Sequence, residues 1–301
     1  MPKLRATPRS TLISPALLRA WPLPMPGGEG KEGRGSVLIV GGSQEIPGAV
    51  MLAALAALRA GAGKLQVATV HSVAPMLAVH LPEARVIGLP QAADGELGTG
   101  SRTRLRRELS RCRALLLGPG MMKEHAITHL IQGLPALCPD TPVVLDAAAL
   151  AALRVKAHPL RGRAILTPHA GEMARLCGLE RDEVVARAPE LALEVAARFG
   201  AVVALKGERT HIATPEGLLF HNTAGNAGLA TSGSGDVLSG IITGLCARGA
   251  DIAQATVWGV FLHARAGDAL ARRMGTLGLL ARELPAEIPA LLHRLSARAA
   301  R

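Results

Sequence analysis

The segment with the clearest chemical potential is a glycine-rich run that ends in an acid, Asn222-Thr-Ala-Gly-Asn-Ala-Gly-Leu-Ala-Thr-Ser-Gly-Ser-Gly-Asp236. A helix is predicted to follow it. At that helix N-terminus, Gly233, Ser234 and Gly235 would present backbone N–H groups that together form an anion hole for a phosphoryl group. Asp236 beside the hole could accept the proton of an attacking hydroxyl. The same residues could instead form only a glycine-rich helix cap with a favourably placed acid.

Two other polar residues lie where predicted strands end. Lys206 is followed directly by Gly207, which favours a phosphate contact over a simple solvated charge. His169 lies in the run Thr167-Pro-His-Ala-Gly-Glu172, which is also typical of an ordinary helix start. For His169, a ligand contact and a purely structural role both stay open at this point.

The loop Gly41-Gly42-Ser43 leads from the first predicted strand to a helix near Gly48 and Ala49. Its spacing fits neither the G-x-G-x-x-G motif of dinucleotide sites nor the G-x-x-x-x-G-K-[ST] phosphate loop, so both kinds of site are excluded here. The glycines would still let a ligand approach the backbone closely. A tight strand-to-helix turn would use the same residues.

Short apolar runs alternate with longer Ala- and Leu-rich stretches from Ser36 onward. The runs predicted as strands are Val37–Val40, Leu65–Thr69, Ala84–Leu89, Ala114–Leu117, Val143–Leu145, Ala164–Leu166 and Val202–Leu205. The stretches between them predicted as helices are Ala49–Ala60, Thr103–Ser110, Glu124–Leu134 and Asp182–Phe199. This alternation predicts right-handed βαβ units and an α/β fold with a mostly parallel sheet. Ligands of such sheets bind beyond the carboxyl ends of the strands, where the loops above are expected to lie.

The C-terminal third has a different pattern. It starts with a predicted hairpin, His211–Ala213 and Leu218–His221, and is then almost entirely helical. The helices predicted there are Val237–Arg248, Ala253–Arg273 and Ala286–Arg298. Because no repeat or linker interrupts the pattern, we expect one domain over residues 31–301. Residues 1–30 contain several prolines and are expected to form a loosely ordered leader.

The composition excludes some classes of protein. With 301 residues, 49% of them hydrophobic and 19% charged, the chain differs from disordered proteins and can bury a core. Aromatic residues make up only 2%, without Tyr, so stacking of nucleic-acid bases is poorly supported and no nucleic-acid partner is expected. The net charge of +11 could instead attract phosphate-bearing metabolites.

The cysteines and the apolar stretches bear on the cellular location. The four cysteines are scattered without C-x-x-C pairs, which favours a reducing, cytoplasmic environment. The longest apolar stretch, Ala49–Leu58, is far shorter than the ~20 residues of a membrane helix. No membrane partner is therefore expected.

Seven segments form an ordered set along the chain. They are Gly35-Ser-Val-Leu-Ile-Val-Gly-Gly-Ser43 with Gly48-Ala49, Arg59-Ala-Gly-Ala-Gly63, Leu117-Gly-Pro-Gly120, Val144-Leu-Asp146, Thr167-Pro-His-Ala-Gly-Glu172, Lys206-Gly-Glu-Arg-Thr210 and Asn226-Ala-Gly-Leu-Ala-Thr-Ser-Gly-Ser-Gly-Asp236. The set resembles that of the ADP/ATP-dependent NAD(P)H-hydrate dehydratases, a branch of the ribokinase-like superfamily. The resemblance extends from Lys31 to the C-terminal helices.

The resemblance implies a ribokinase-like, three-layer α/β/α fold and a lyase that repairs hydrated NADH or NADPH. Such an enzyme phosphorylates the hydroxyl of the hydrate and then expels phosphate. ADP is the expected phosphoryl donor, with AMP and phosphate as products and Mg²⁺ as cofactor. Ala49, Gly120, His169 and Asp236 would bind the hydrated dinucleotide, with Asp236 as the base. The adenine nucleotide would be bound by Lys206, Gly207, Glu208, Arg209, Thr210 and Gly235.

Two departures from the family pattern matter. The family commonly has Asp-Ala-Asp-Ala-Leu-Asn where this chain reads Asp146-Ala-Ala-Ala-Leu-Ala151, so Ala148 lacks a second acid. In addition, the roughly 30 residues before the motifs are too few for the epimerase domain often fused there. The resemblance therefore implies a separate epimerase as pathway partner, and it implies a homo-oligomer, a tetramer or larger.

Two other functions stay open. A small-molecule kinase acting on a thiazole or pyrimidine alcohol would share the Gly-x-Gly-Asp chemistry, whereas the loop at Gly41, the run around His169 and Lys206–Thr210 favour the dehydratase. A nucleotide-binding protein that has lost catalysis would explain Ala148. Asp236 and the glycines before it favour an active enzyme.

Overall fold

The computed structural model describes residues 10–25, 30, 33–154 and 162–296. Its strands form one sheet in the order β1-β10-β9-β8-β7-β6-β5-β2-β3-β4. The strands are β1 Thr11–Leu12, β2 Ser36–Val40, β3 Lys64–Val70, β4 Ala84–Leu89, β5 Ala114–Leu117, β6 Val143–Leu145, β7 Ala164–Leu166, β8 Val202–Leu205, β9 Thr210–Ala213 and β10 Leu219–Asn222.

The pairing within this sheet confirms the predicted α/β fold. All described neighbours pair in parallel except β8 with β9 and β9 with β10. Strands β9 and β10 form the predicted hairpin, and β8 pairs antiparallel with it. The central strands β5, β6, β7 and β8 are buried at every residue. Such strands need cover on both faces, as in a three-layer arrangement.

The helices are α1 Pro15–Ala20, α2 Gly48–Arg59, α3 Ala74–His80, α4 Ser101–Leu109, α5 His125–Leu137, α6 Ala148–Ala151, α7 Ala170–Cys177, α8 Arg181–Ala186, α9 Ala188–Phe199, α10 Ser234–Ala247, α11 Ile252–Met274 and α12 Leu284–Ser296. Among the described residues, no helix combines the length and apolar character that a membrane crossing requires.

The prediction of a single helix over Asp182–Phe199 is wrong. The stretch Asp182–Phe199 is divided into α8 and α9, with the break at Arg187 (φ −114°, ψ 23°). Pro189 lies in the first turn of α9. Because proline has no N–H and clashes with a preceding helical turn, it can start a helix but not continue one.

The expectation of a loosely ordered leader is wrong for residues 10–25. β1 pairs with β10, and Ser14 caps α1 by accepting a hydrogen bond from the Leu17 N–H at 3.2 Å. Leu18 is fully buried. The Trp21 carbonyl accepts a 2.9 Å bond from the indole N–H of Trp258 in α11. Hydrogen-bonded pairing and apolar burial thus make this segment part of the fold, while residues 1–9 and 26–29 lie outside the described residues.

Two helices that begin at the carboxyl edge of the sheet pack backbone to backbone. A Cβ on Gly240 of α10 would lie 2.3 Å from the carbonyl oxygen of Ala53 in α2. One on Gly244 would lie 2.5 Å from the carbonyl oxygen of Ala57. Small residues on both helices permit this close approach. It fixes the start of α2, at Gly48, relative to the start of α10, at Ser234.

Candidate active site

The run Gly233–Asp236 forms the N-terminus of α10. Gly233 adopts φ +86°, a left-handed backbone conformation that favours glycine. The Ser234 N–H donates to the Thr231 carbonyl at 3.2 Å. The N–H groups of Gly235 and Asp236 have no main-chain acceptor among the described residues. The Gly233 N–H has no main-chain acceptor there either, so Gly233, Gly235 and Asp236 are the residues whose N–H groups are left for an anion at this helix start.

Lys206 lies at the carboxyl end of β8 between two carboxylates. Its Nζ is 3.2 Å from Oδ1 of Asp146 and 3.9 Å from Oε2 of Glu172. The Asp146 side chain is only 5% exposed. Burial alone would lower the pKa of Lys206, but Asp146 and Glu172 outweigh it and raise that pKa. Lys206 is therefore a fixed positive charge at the sheet edge.

Gly235 joins this ion cluster to the helix start. A Cβ on Gly235 would lie 3.3 Å from Nζ of Lys206 and 3.9 Å from Oδ2 of Asp146. A side chain here would therefore fill the space above the ammonium group. Glycine leaves that space open to an anion that bridges Lys206 and the α10 amides.

Asp236 titrates near neutrality in this setting. Burial raises its pKa to about 7, and the nearby carboxylates of Asp146 and Glu172 add to the rise, while Lys206 opposes it. A carboxylate with a pKa close to the working pH can both accept and release a proton efficiently. This is the property required of the predicted base.

His169 caps helix α7, which is the structural role that the sequence left open for it. Its Nδ1 accepts hydrogen bonds from the N–H groups of Gly171 (3.0 Å) and Glu172 (3.2 Å) at the start of α7. The Glu172 carboxylate accepts a 2.8 Å bond from the His169 N–H in return. The ring is 54% exposed. Burial and the charge of Lys206 lower its pKa, although Glu172 opposes this, so the ring is neutral at neutral pH.

The cap does not remove His169 from the site. The Lys206 N–H donates to the Pro168 carbonyl at 2.8 Å, which holds the loop before α7 against the end of β8. Since Nδ1 is an acceptor, the ring proton is on Nε2, on the half-exposed side. Nε2 lies 3.5 Å from Oε1 of Glu172, and the ring is 54% exposed, so a ligand can still reach it beside the Lys206 cluster. A helix cap and a ligand contact are therefore compatible.

Gly120 and Ala49 meet at the other predicted part of the site. Gly120 adopts φ +67°, and a Cβ there would lie 2.4 Å from the Ile46 carbonyl and 2.9 Å from Cβ of Ala49. The Gly42 N–H donates to the Pro119 carbonyl at 2.7 Å. The loops after β2 and β5 thus abut through small residues, and Gly120 is half-buried at this contact.

The remaining predicted nucleotide residues form the turn between β8 and β9. Gly207, Glu208 and Arg209 are exposed, and Thr210 begins β9 opposite Asn222 of β10. The structure thus places Lys206 and Gly235 together, whereas residues 207–209 extend outward from them.

Three polar residues of the site, Asp146, Glu172 and His263, were not assigned to it by sequence reasoning. Asp146 directly follows β6 at the same sheet edge as Lys206, and Glu172 lies in the run around His169, so both positions were usable signals. His263 lies inside α11, and its Nε2 is 3.0 Å from Oγ of Ser234. Nothing in the local sequence distinguishes this histidine from an ordinary helix residue.

The residue after Asp146 is strained. Ala147 has φ 49° and ψ −123°, which makes it the non-glycine residue with positive φ in the described part of the chain. Such a conformation is costly for alanine and is retained where surrounding structure imposes it. It turns the chain from β6 into α6, whose first residue is Ala148, the position of the absent second acid.

The described residues contain no group of three or more His, Cys, Asp or Glu side chains that could hold a metal ion. Asp146 and Glu172 are the carboxylates beside Lys206. Because Mg²⁺ at nucleotide sites is often held by one or two carboxylates plus phosphate oxygens, this donor set fits an ion that arrives with the nucleotide.

Comparison with known proteins agrees with this geometry. Residues 37–290 match the family model described as NAD(P)H-hydrate dehydratase. The chain is 50% identical over 290 residues to the ADP-dependent (S)-NAD(P)H-hydrate dehydratase of Xanthomonas campestris pv. campestris, covering 96% of this chain and 98% of that protein. It is 40% identical over 265 residues to the bifunctional NAD(P)H-hydrate repair enzyme of Moorella thermoacetica, covering 87% of this chain and 50% of that protein.

A solved structure shares the whole architecture. The ADP/ATP-dependent NAD(P)H-hydrate dehydratase from Bacillus subtilis, co-crystallized with ATP/Mg²⁺, superposes with a TM-score of 0.80 at 31% identity. The match covers 95% of this chain and 99% of that one. The ribokinase-like fold implied by the sequence motifs is therefore confirmed, and the chain belongs to the NAD(P)H-hydrate dehydratase family.

Proposed function

We propose that this protein is an ADP-dependent (S)-NAD(P)H-hydrate dehydratase, a lyase that restores hydrated NADH and NADPH. The observation that carries the proposal is the placement of Asp236. Its pKa is raised to about 7, it lies at the start of α10, and it shares the site with Lys206. A base, a phosphate-binding cation and open backbone donors thus meet at one sheet edge.

The reaction proceeds in two stages. In the first, Asp236 accepts the proton of the hydrate hydroxyl as that oxygen attacks the terminal phosphoryl group of the nucleotide. The N–H groups of Gly235 and Asp236 and the charge of Lys206 stabilise the negative charge on the phosphoryl oxygens. In the second, phosphate leaves with the carbon–oxygen bonding electrons, the neighbouring carbon loses a proton, and the dihydronicotinamide ring is restored.

The two ligands are assigned to separate loops. The hydrated dinucleotide lies against Ala49 and Gly120, with the half-exposed His169 ring as a polar contact and Asp236 at its hydroxyl. The adenine nucleotide is bound by Lys206, Gly207, Glu208, Arg209, Thr210 and Gly235. The backbone contact between Lys206 and Pro168, at 2.8 Å, supports this assignment because it holds the loop of His169 beside the phosphate cation.

Mg²⁺ is proposed as the cofactor that accompanies the nucleotide. Asp146 and Glu172 are the residues that would hold it, directly or through water, together with phosphate oxygens. Bound there, the ion would neutralise phosphate charge and orient the phosphoryl group. Lys206 supplies the remaining positive charge.

We also propose the setting in which the enzyme works. The chain is similar to part of a bifunctional NAD(P)H-hydrate repair enzyme, which supports an epimerase as the pathway partner that supplies the correct epimer of the hydrate. All four cysteines are free, which supports a reducing, cytoplasmic location. A homo-oligomer, tetrameric or larger, is expected from the family resemblance and is tested by the mass of the protein in solution.

Incubation with hydrated NADH, Mg²⁺ and either ADP or ATP tests the function. We expect the near-ultraviolet absorbance of NADH to recover with ADP, and AMP to appear in equal amount. Phosphorylation of vitamin-like alcohols without any action on hydrated NADH would instead establish a small-molecule kinase. Nucleotide binding without turnover of either substrate class would establish a degenerate homologue.

A further inference from the structure

The Ser234 side chain contacts a histidine from a different helix. Its Oγ lies 3.0 Å from Nε2 of His263, which is a hydrogen-bond distance. Ser234 is the first residue of α10 and is only 5% exposed. His263 lies in the middle of α11, between the buried residues Leu262 and Ala264. Helices α10 and α11 pack against each other, so the contact is held by two rigid elements.

The backbone of Ser234 is already occupied. Its N–H donates to the Thr231 carbonyl, unlike the N–H groups of Gly235 and Asp236, which have no main-chain acceptor among the described residues. The hydroxyl is therefore the donor that Ser234 has left for an anion at this helix start. A serine hydroxyl has one hydrogen to donate, so the direction of that hydrogen decides whether Ser234 takes part.

The protonation state and tautomer of the His263 ring decide which way the Ser234 hydroxyl hydrogen points. Burial lowers the pKa of His263 to about 4; the main-chain carbonyl of Ser234 opposes this, and the charge of Lys206 adds to it. The ring is therefore neutral at neutral pH and carries one N–H. The 3.0 Å contact between Nε2 and Oγ could run in either direction, and only donation from the ring leaves the hydroxyl hydrogen of Ser234 free for another acceptor.

We propose that His263 is a positioning residue: its neutral ring donates from Nε2 to Oγ of Ser234 and thereby directs the Ser234 O–H toward the phosphoryl group at the start of α10. The inference rests on the proposed function, since it assigns a further donor to the same phosphoryl site. The reverse hydrogen bond, from Ser234 to the ring, would consume the only hydroxyl hydrogen. A neutral ring also achieves this without adding charge beside Lys206.

The arrangement predicts an effect on the chemical step more than on binding. As charge develops on the phosphoryl oxygens, a correctly directed O–H donor gains strength in the transition state. Loss of one such donor typically lowers kcat by ~10²-fold or more. A cross-link that only joined α10 to α11 would instead change the melting temperature and leave kcat in place.

A double-mutant cycle with the full chain tests the proposal. The variants are Ser234→Ala, His263→Leu, the double variant and His263→Gln, with His293→Gln on the exposed face of α12 as matched control. We expect kcat to fall by ~10²-fold in Ser234→Ala and by at least ~10-fold in His263→Leu, with the KM for ADP changed by less than ~3-fold. The glutamine amide at position 263 retains an N–H donor and should restore part of kcat.

The cycle should also be non-additive. In the Ser234→Ala background, His263→Leu should cost nothing further in kcat, because the group through which it acts is gone. The proposal would be overturned if the kcat losses of the two single variants multiplied in the double variant, or if His263→Leu kept the wild-type kcat. If His263→Leu fails to fold, a wild-type kcat in Ser234→Ala would overturn it equally.

A binding measurement separates this proposal from the proposed function. AMP with aluminium fluoride mimics the transferring phosphoryl group, and its affinity does not depend on which hydroxyl is phosphorylated. We expect Ser234→Ala and His263→Leu to weaken its binding by ~10-fold or more relative to AMP alone. An inactive wild-type enzyme that still shows this difference would contradict only the dehydratase activity. Equal binding by all variants of an active enzyme would contradict only the role of His263.

Discussion

The Asp236 carboxylate lies in surroundings that favour its proton. Burial raises its pKa to about 7, and Asp146 and Glu172 contribute to the same effect. Deprotonated Asp236 is the active form of a base, so kcat/KM should rise with pH up to about 7 and then level off. The local charges, rather than the residue type alone, thus set the pH range in which the enzyme works.

Asp236→Asn should lower turnover by ~10²- to 10⁴-fold, because the amide keeps the shape of the carboxylate but cannot accept the proton. Nucleotide affinity should survive, since the variant removes a negative charge beside the phosphates. Turnover and ADP affinity measured on the same variant check this. A variant that keeps more than about a tenth of wild-type turnover would exclude Asp236 as the base.

The same variant should show a pH-dependent gain in stability. The pKa of Asp236 in the folded protein, about 7, exceeds its ordinary value of 3.8, so the folded state holds the proton more tightly. Stability from this group is therefore present at low pH and lost as pH rises through about 7. Near pH 8, Asp236→Asn should be more stable than wild type by up to about 4 kcal/mol. Equal unfolding free energies near pH 8 would contradict the burial of a charged Asp236.

Asp146→Asn should shift the pH profile to lower pH. The Asp146 charge raises the pKa of Asp236, so its removal should lower the midpoint of the kcat/KM profile by up to about one pH unit. The midpoint of the profile is measured and not its plateau, because Asp146 also pairs with Lys206 and its removal changes the plateau value of kcat/KM as well. Asp182→Asn, on exposed α8, is the matched control. A midpoint that stays in place or rises would show that Asp146 does not act on Asp236.

At the scale of the elements, close packing of α2 and α10 holds the two halves of the site together. Gly240→Ala should destabilise the protein by about 1–3 kcal/mol, although alanine favours a helix over glycine, because the new Cβ would overlap the Ala53 backbone. Chemical denaturation measures this. Gly48→Ala, where nothing lies within 4 Å of the added Cβ, is the control and should cost far less. Equal stability of both variants would refute the tight helix contact.

The elements also show which features the sequence could predict. Buried parallel strands such as β5 and β8 are short apolar runs with clear ends, so their positions followed from the pattern. The break between α8 and α9 could not be predicted from the pattern, because the apolar periodicity continues across Arg187 and only Pro189 interrupts the helical backbone. The helix α3 was missed, since it is only two turns long.

The site could be predicted only in part for a related reason. Glycine motifs and the acid Asp236 are local, and the chain itself places them at a helix start. The contact of Lys206 with Asp146 joins residues 60 positions apart and depends on the order of β6, β7 and β8 in the sheet. The contact of Ser234 with His263 depends on the packing of α10 against α11. Local sequence patterns carry no information on either of these two contacts between distant residues.

At the scale of the whole molecule, the N-terminal segment closes one edge of the sheet. Leu18→Ala should cost about 2–5 kcal/mol of unfolding free energy, because Leu18 is fully buried. Leu12→Ala, at a position 48% exposed, is the control and should cost much less. A Leu18→Ala variant as stable as wild type would show that residues 10–25 add nothing to the fold.

The central claim is that the hydrate hydroxyl is phosphorylated before it leaves. Hydrated NADH prepared with oxygen-18 in that hydroxyl, turned over with ADP and Mg²⁺, tests it most directly. If Asp236 deprotonates the hydroxyl for attack on the phosphoryl group, the labelled oxygen becomes the bridging atom and departs in the inorganic phosphate. The account predicts one labelled oxygen in each phosphate released, in step with restored NADH and AMP. Label found in water, with unlabelled phosphate, would contradict it.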